Sequence, residues 1–316
     1  MPACEGKGAH VRPLVGSVSL QVMGQATVRN RVLSFIPEAS GLSQPSNSYL
    51  ALSVHRNTEG SSGAFLLEVP PARLGRGSEK ELIVTAPGLR FVLRHGEIQA
   101  GVCGDTPDAA LRSALDIAWP LSLSPYGQYR LHCGAVQDTN GSGWLLIGDS
   151  CTGKSTSTMA LVASGWGYAS DDAAYIVQDG ESIIAHGWWE HVKLTAASAA
   201  SLGLSRIGSL ADSKCAPILP DDMSSRRLSK LSVNGLLFPE FGARSALEPL
   251  RAPDALVRLV RASPWLFCQS ELAAQYLACL RAVAMLPAAR LILGPELLHA
   301  PQKLAELVLN SQRTIA

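Results

Sequence analysis

The sequence predicts an α/β protein with a β-rich N-terminal domain, and two patterns along the chain support this prediction. From residue 16 to about residue 102, short β-rich runs are separated by turn clusters such as NTEGSSG and GRGSEK, which is typical of strands and hairpins. Beyond residue 105, strand-like runs alternate with helical periods, which is typical of a sheet covered by helices. We therefore expect two domains, at residues 1–105 and 106–316.

Composition limits the classes of protein to which the chain can belong. Of its 316 residues, 47% are hydrophobic and 17% are charged, which favours a buried core and excludes a wholly disordered chain. The formal net charge of +1 provides no global field that would attract nucleic acid or an anionic membrane. The seven cysteines form no Cys-x-x-Cys pair, and the first residues contain no apolar run of signal-peptide length. We expect a reduced, cytoplasmic protein without nucleic-acid or membrane partners.

The elements of the second domain follow one another without an internal repeat. A helix begins at Thr106 and Pro107, a cap followed by a proline at the first helical position, and ends near Trp119–Pro120. The strands LHCGAVQ and GWLLIG flank the turn DTNGSG, and the helix STSTMALVAS precedes the strand AAYIVQD. Further helices are predicted at 254–261, 271–286 and 301–311, with the strand ARLIL between the last two.

The segment GDSCTGKS matches the phosphate-binding loop pattern G-x-x-x-x-G-K-[ST]. It follows an apolar strand and opens an amphipathic helix, which is the setting that such a loop requires. Backbone N–H groups of the loop surround phosphates, the lysine reaches the β- and γ-phosphates, and the serine hydroxyl binds Mg²⁺. The alternative is a glycine-rich turn before an ordinary helix. The pattern predicts ATP contacts from Gly148, Asp149, Ser150, Cys151, Thr152, Gly153, Lys154, Ser155 and Thr156.

Two further polar elements flank this loop in the sequence. Asp171 and Asp172 follow the predicted helix, and successive side chains of an extended segment point to opposite faces. One carboxylate can therefore hold Mg²⁺ while the other accepts a proton from a substrate hydroxyl; a solvated acidic turn is the alternative. His132 lies on the strand before the loop and is either a satisfied core histidine or a neighbour of the phosphate site.

In order and at similar intervals, LHCGAV, GDSCTGKS and ASDD resemble the motifs of the HPr kinase/phosphorylase superfamily. The resemblance runs from about residue 106 to the end and is strongest over residues 131–177. It implies a P-loop kinase core whose sheet is similar to that of HPr kinase and phosphoenolpyruvate carboxykinase. By position, it implies that Lys154 and Ser155 bind the phosphates and Mg²⁺. It further implies that Asp171 assists the metal, that Asp172 deprotonates a serine hydroxyl, and that His132 is a supporting residue near the phosphoryl group.

The chain departs from the family pattern at two places. Cys151 stands where the family has a glycine, which would be costly if this position needs a positive φ. The family's glycine-rich segment after the acidic pair is replaced by WWEHVKLTAASAASLG and the basic stretch SSRRLSK.

The segment LPAARLILGPELLHAPQKLAEL resembles HPr-kinase-related proteins found beside peptide natural-product genes. Some members of that branch phosphorylate a serine of a ribosomally made precursor peptide, lasso peptides included.

Other side chains allow two interpretations each. Arg226 and Arg227 are candidates to neutralise phosphate or bind a peptide carboxylate, or they belong to a solvated loop. Trp188 and Trp189 form a platform for peptide or adenine, or they belong to a core or interface. No His or Cys cluster has metal-ligand spacing, so the only metal predicted is the Mg²⁺ that accompanies ATP.

The leading hypothesis is an ATP- and Mg²⁺-dependent kinase that phosphorylates a serine of a peptide or small protein. The alternatives are a kinase that acts on a small hydroxyl compound and a non-catalytic module that senses ATP. The sequence does not determine whether the protein forms a homo-oligomer or what residues 1–105 do.

Overall fold

The computed structural model describes residues 10–15, 18–24, 26–35, 48–55, 65–77, 81–94, 97–188, 192–204, 206–207, 214–217, 219–300 and 302–315. Contacts within the chain divide it into two compact units. The first comprises Met1–Tyr129 with Trp265–Ala273, and the second comprises Arg130–Pro264 with Ala274–Ala316.

The first unit is built around a mixed β-sheet. Its elements are β1 (His10–Val15), β2 (Val18–Gly24), α1 (Ala26–Ser34), β3 (Ser48–His55), β4 (Phe65–Val69), β5 (Ala72–Arg76), β6 (Leu82–Ala86), β7 (Leu89–Arg94), β8 (Glu97–Val102) and α2 (Asp108–Leu123). The described strands follow the order β1-β2-β3-β8-β7-β6-β5-β4. Burial alternates along β7 and β8, as expected for strands with one face in a core. The β-rich character predicted for this part of the sequence is confirmed.

Helix α2 belongs to the first unit, although the sequence placed it after a boundary at residue 105. Its buried Leu111, Leu115 and Trp119 lie on a helix that packs against β5, β6 and β7, so its apolar face completes the core of that sheet. The compact first unit therefore extends to Tyr129. The helix also continues past Pro120 to Leu123, and the Ser124 hydroxyl donates to the Pro120 carbonyl at 2.7 Å.

The second unit and the elements at its borders alternate strands and helices. They are β9 (Tyr129–Leu131), β10 (Cys133–Gln137), β11 (Gly143–Ile147), α3 (Lys154–Ala163), β12 (Gly167–Ser170), β13 (Ala174–Asp179), β14 (Ser182–Gly187), β15 (Leu194–Thr195), α4 (Ala196–Ser201), β16 (Arg206–Ile207), β17 (Lys214–Pro217), α5 (Asp221–Ser224), β18 (Lys230–Phe241), β19 (Ala246–Pro249), α6 (Ala252–Arg261), α7 (Ser270–Ala284), β20 (Ala288–Leu293), α8 (Glu296–His299) and α9 (Gln302–Ile315). The main sheet follows the order β12-β10-β11-β18-β14-β13-β9, and β20 pairs with both β18 and β19. The predicted α/β class is confirmed.

Three parallel strands position the loop that follows β11. β11 pairs in parallel with β18, and β18 pairs in parallel with β20, so the carboxyl ends of all three lie at one edge of the sheet. β10 forms an antiparallel hairpin with β11. One face of this sheet is covered by α3 and α9, whose Met159 and Val308 join Leu146, Leu237 and Leu291 in a buried apolar cluster. A loop at this edge is therefore anchored on one side by a strand and on the other by a packed helix.

The later helices lie close to their predicted positions. The sequence predicted helices at 254–261, 271–286 and 301–311, and the structure has them at Ala252–Arg261, Ser270–Ala284 and Gln302–Ile315. Within the described ranges, no helix combines the length and the apolar character needed to cross a membrane.

Candidate active site

The GDSCTGKS segment connects β11 to α3, as its pattern predicted. Gly153 precedes the helix with φ +94°, and a Cβ atom there would lie 2.5 Å from Cδ1 of Leu293. The Thr152 hydroxyl donates to the Asp149 carbonyl at 2.9 Å, and a Cβ atom on Gly148 would lie 2.6 Å from that hydroxyl oxygen. The loop is thus a tight turn at a helix N-terminus, where free N–H groups and the helix dipole favour anions.

Cys151 adopts a strained, left-handed backbone conformation in this turn. Its φ of +67° is the only positive value among the described residues other than glycine, and a left-handed conformation costs about 1–2 kcal/mol outside glycine. The side chain is exposed and forms no disulfide. The loop therefore keeps the left-handed turn at the position where the family has a glycine, and a residue with a Cβ atom occupies it.

The other predicted loop contacts are arranged around the start of α3. The side chains of Asp149 and Ser150 are exposed, and Ser155 is half-buried. The Thr156 hydroxyl donates to Oγ of Ser198 at 2.9 Å, so this side chain is engaged by α4. Any phosphate contact from Thr156 would therefore be made through its backbone N–H group.

Lys154 is charged and yet only 6% exposed. Its Nζ atom contacts Nε2 of His132, while Nδ1 of His132 lies 2.8 Å from the backbone carbonyl oxygen of Asp172. Because a carbonyl can only accept, the network assigns the ring proton to Nδ1 and leaves Nε2 to accept from the lysine. Burial and the charge of Lys154 lower the pKa of His132. The ring is therefore neutral near pH 7 and orients the lysine.

Close packing of β10 against α3 brings these two side chains together. Cys133, next to His132, pairs with Ile147 directly before the loop. A Cβ atom on Gly134 would lie 2.2 Å from Oγ1 of Thr158, so glycine at this position lets the helix approach the strand. Of the two interpretations offered for His132, the structure supports the neighbour of the loop.

The adjacent carboxylates of Asp171 and Asp172 lie in different environments. Asp171 is 4% exposed, whereas the Asp172 side chain is 35% exposed, with Oδ1 3.4 Å from Nδ1 of His132. Burial and the neighbouring Asp172 charge raise the pKa of Asp171 to about 7. Burial alone would raise the pKa of Asp172, but the electrostatic interactions with His132, Lys154 and Lys193 outweigh burial and lower that pKa. Environments that separate two pKa values in this way assign the two groups different chemical tasks.

The residues around Asp171 fit a magnesium ion bound together with phosphate. Oδ1 of Asp171 is buried and has no hydrogen-bond partner among the described residues, and the Ser155 hydroxyl is close enough to lower the pKa of this carboxyl group. Mg²⁺ is commonly held by one or two protein oxygens, with water and substrate phosphate supplying the rest. No group of three or more His, Cys, Asp or Glu side chains in the described part of the chain could hold a metal by itself.

Arg226 is not brought to the loop. Its guanidinium group donates to the Val162 carbonyl at 2.7 Å and pairs with Asp222 at 3.2 Å. Val162 lies two turns beyond Lys154, which places it about 12 Å away along the helix axis. In the structure, Arg226 therefore contacts the C-terminal end of α3 and not the phosphate-binding loop, which differs from the predicted contact with phosphate or substrate.

The remaining candidates are Arg227, Trp188 and Trp189. Arg227 is exposed, and its backbone forms a parallel bridge with Tyr168. Trp188 is buried and packs edge-on against Tyr175, with ring centroids 5.2 Å apart, as expected for a core residue. Trp189 lies outside the described residues.

Two features beside the loop were missed from the sequence. A cavity of about 550 Å³ is lined by loop residues and by Arg258, Arg261 and Arg290. Phe241, at the end of β18, is 64% exposed, and its Cζ atom lies 3.4 Å from the position of a Cβ atom on Gly153. The R-x-x-R spacing of Arg258 and Arg261 in the last turn of α6 can be recognised in the sequence. That these arginines lie beside the loop depends on the tertiary structure.

The chain is similar in structure to solved proteins, but it has no match among family models or curated proteins. Among solved structures, the HPr(Ser) kinase/phosphatase from Coxiella burnetii aligns with 11% identity and a TM-score of 0.33, over 60% of this chain and 99% of that chain. The roles assigned to the residues above therefore depend on the geometry of the site itself.

Proposed function

We propose that the protein is an ATP- and Mg²⁺-dependent kinase that transfers the γ-phosphoryl group to a serine hydroxyl of a peptide or small protein. The observation that carries this proposal is the cluster at the start of α3, where Lys154 contacts a neutral His132 and His132 contacts Asp172. The resemblance of LHCGAV, GDSCTGKS and ASDD to HPr kinase motifs supports the reaction type. The resemblance of the C-terminal segment to kinases of precursor peptides supports the acceptor class.

Phosphate binding would depend on the loop and on Lys154. Glycines at the loop ends allow the backbone to turn closely enough for its N–H groups to face an anion. Lys154 is shielded from water, so its charge acts on phosphate oxygens in a low effective dielectric. Mg²⁺ held by Ser155 and Asp171 would neutralise phosphate charge as the bond to the leaving group breaks.

Asp172 would orient the acceptor hydroxyl and take its proton. Its lowered pKa keeps the carboxylate ionised near pH 7, and its partial exposure leaves room for an incoming hydroxyl. The serine oxygen forms the new bond to the γ-phosphorus, the bond to the ADP oxygen breaks, and the serine proton passes to Asp172. Because the transition state is loose, positioning contributes more than the strength of the base.

The nucleoside end of ATP would extend toward β18. His132 and Asp172 lie on the side of β11 occupied by β10 and β12, whereas β18 lies on the other side. If the γ-phosphoryl group faces the side of β10 and β12, the adenine lies toward β18. The exposed ring of Phe241 beside Gly153 offers an aromatic face on which a base can stack.

The test is a transfer assay with the full chain. Purified protein is incubated with γ-labelled ATP, Mg²⁺ and either a serine peptide library or a panel of small hydroxyl metabolites. We expect labelled phosphoserine in peptides and none with Lys154→Ala. Label in a metabolite alone would favour the small-molecule kinase, and calorimetric ATP binding without transfer would favour the sensing module.

A further inference from the structure

The cavity beside the loop lies at the carboxyl ends of parallel strands, where open α/β sheets commonly bind ligands. Its volume of about 550 Å³ is within the range of small-ligand pockets. Gly148 and Asp149 of the loop form one wall, the end of β18 forms a second, and α6 forms a third. Phe241 is not among the described residues that line the cavity, and its side chain lies on the face of β18 opposite to Phe238 and Glu240. A ligand in the cavity is therefore distinct from a base stacked on Phe241.

Two of the arginines in the cavity are held rigidly by one carboxylate. Glu240 accepts from Arg258 through one oxygen and from Arg290 through the other, the latter at 2.8 Å. Arg290 also pairs with Glu248 at 2.8 Å. The Arg258 guanidinium lies over the Phe238 ring, 5.4 Å from the ring centroid, close enough for a cation–π contact. The charges of these arginines are thus largely compensated.

Arg261, the third arginine that lines the cavity, differs from Arg258 and Arg290 in its contacts. It is exposed, and its side chain forms no ion pair or hydrogen bond with any residue that the structure describes. Of the other acidic residues that line the cavity, Asp254 pairs with Arg251 at 3.0 Å, and Asp149 is exposed on the loop wall. Arg261 is therefore the arginine of the cavity that has no acidic partner among the described residues, and its guanidinium group is available to one carboxylate.

The position of Arg261 also relates the cavity to the proposed chemistry. The next residue, Ala262, accepts a hydrogen bond from the backbone N–H of His132 at 3.2 Å. The C-terminal end of α6 is thereby attached to the residue that contacts both Lys154 and Asp172. A group bound by Arg261 would lie near an acceptor hydroxyl that faces Asp172.

We infer that this cavity receives the acceptor peptide and that Arg261 binds a carboxylate close to the acceptor serine. The acceptor is therefore an acidic serine peptide. A guanidinium group suits this task because it pairs with a carboxylate through two parallel hydrogen bonds. The inference rests on the proposed function, since it assigns a substrate preference to the same transfer reaction.

The test uses the full chain, γ-labelled ATP and Mg²⁺ with degenerate octapeptides that carry one central serine. In each pool one flanking position is fixed as Glu or as Gln, and a parallel set carries a C-terminal acid or amide. We expect at least one Glu or free-acid pool to exceed its neutral counterpart about tenfold in kcat/KM, the usual range of one charge-assisted hydrogen-bonded pair. The position of that pool shows whether the carboxylate is a side chain or a C-terminus.

Variants separate this inference from the proposed function. Arg261→Gln should reduce the preference to less than twofold without changing the KM for ATP, whereas Arg281→Gln, an exposed arginine of α7 outside the cavity, should retain it. Equal phosphorylation of acidic and neutral pools by the wild type, or a preference that survives Arg261→Gln, would overturn the inference and leave the kinase standing. Transfer to no peptide in any pool would overturn the proposed function and the inference with it.

Discussion

The two ends of α3 hold their charged side chains in different ways. At the N-terminal end, Lys154 is buried against a neutral histidine, and Asp171 keeps a buried oxygen without a partner among the described residues. At the C-terminal end, Arg226 donates to a helix carbonyl and pairs with an exposed aspartate. One end keeps polar groups available for a ligand, and the other uses them within the protein. The two ends therefore differ in the burial of their charged groups and not in the density of charge in the sequence.

The largest effect expected from this comparison is at Lys154. Lys154→Ala removes the buried charge beside the loop and should reduce phosphoryl transfer about a thousandfold or more. The measurement is the initial rate of label transfer at saturating ATP, with thermal unfolding to confirm the fold. Lys303→Ala, at an exposed position of α9, is the matched control. A rate within tenfold of the wild type would show that the active site does not lie at the N-terminal end of α3.

Asp172→Asn should leave ATP binding intact and reduce kcat by a factor of about 10² to 10⁴, because the amide cannot accept the serine proton. Calorimetry of ATP binding and single-turnover transfer measure the two effects separately. Asp179→Asn, at the exposed end of β13, should change neither. Normal turnover by Asp172→Asn would refute the role of Asp172 as the base.

His132→Gln should have a smaller effect, since His132 positions Lys154 and does not contact the reacting atoms. Displacement of the lysine by about 1 Å would cost on the order of a hundredfold in kcat, with a rise in the KM for ATP. Imidazole ¹⁵N resonances of the wild type should show a neutral ring with its proton on Nδ1 at pH 7. A charged ring at that pH would contradict the proposed arrangement.

At the other end of α3, Arg226→Gln should lower the free energy of unfolding by about 1–2 kcal/mol, because the Val162 carbonyl loses a charged donor. Asp222→Asn should cost only a few tenths of a kcal/mol, since it removes an exposed ion pair. Urea unfolding measures both effects, and kcat per folded molecule should be unchanged. A selective loss of kcat in Arg226→Gln would place this arginine in the reaction after all.

The smallest effect is expected in the loop itself. Cys151→Gly relieves a left-handed residue of about 1–2 kcal/mol of strain but adds about 0.5–1 kcal/mol of chain entropy to the unfolded state. The free energy of unfolding should therefore rise by up to about 1.5 kcal/mol, while Cys151→Ala should leave it nearly unchanged. A less stable glycine variant would show that the cysteine side chain contributes more than its backbone strain removes.

The local parts of the site were predictable from the sequence. The start of α3 at Lys154 follows from glycines and a lysine at fixed spacing, and the short turn after β10 brings His132 next to the loop. The sequence also predicted that Asp171 and Asp172 would differ, although the structure places them in a bend after β12 and not in the extended segment on which that prediction depended. Each of these inferences depends on residues that are close in sequence.

The parts that depend on distant pairing were not predictable. Periodicity identified α2 as a helix but contained no information about which sheet its apolar face would cover. The grouping of Arg258 with Arg290 depends on the parallel pairing of β18 with β20, which no local pattern specifies. The basic run allowed two interpretations of Arg226, a ligand contact or a solvated loop, and neither predicted its contacts with the Val162 carbonyl and Asp222.

The distant strands that support the loop also determine when it can form during synthesis. The backbone of Gly143 on β11 donates to Asn234 on β18, 91 residues later in the chain, and the contact of Glu240 with Arg290 spans another 50 residues. The ribosome therefore releases the GDSCTGKS segment long before its sheet is complete. Until then the edge of the apolar β11 strand that later pairs with β18 lacks its partner, and such unpaired edges favour aggregation. Competence to bind ATP is thus expected to arise late, when the last third of the chain has emerged.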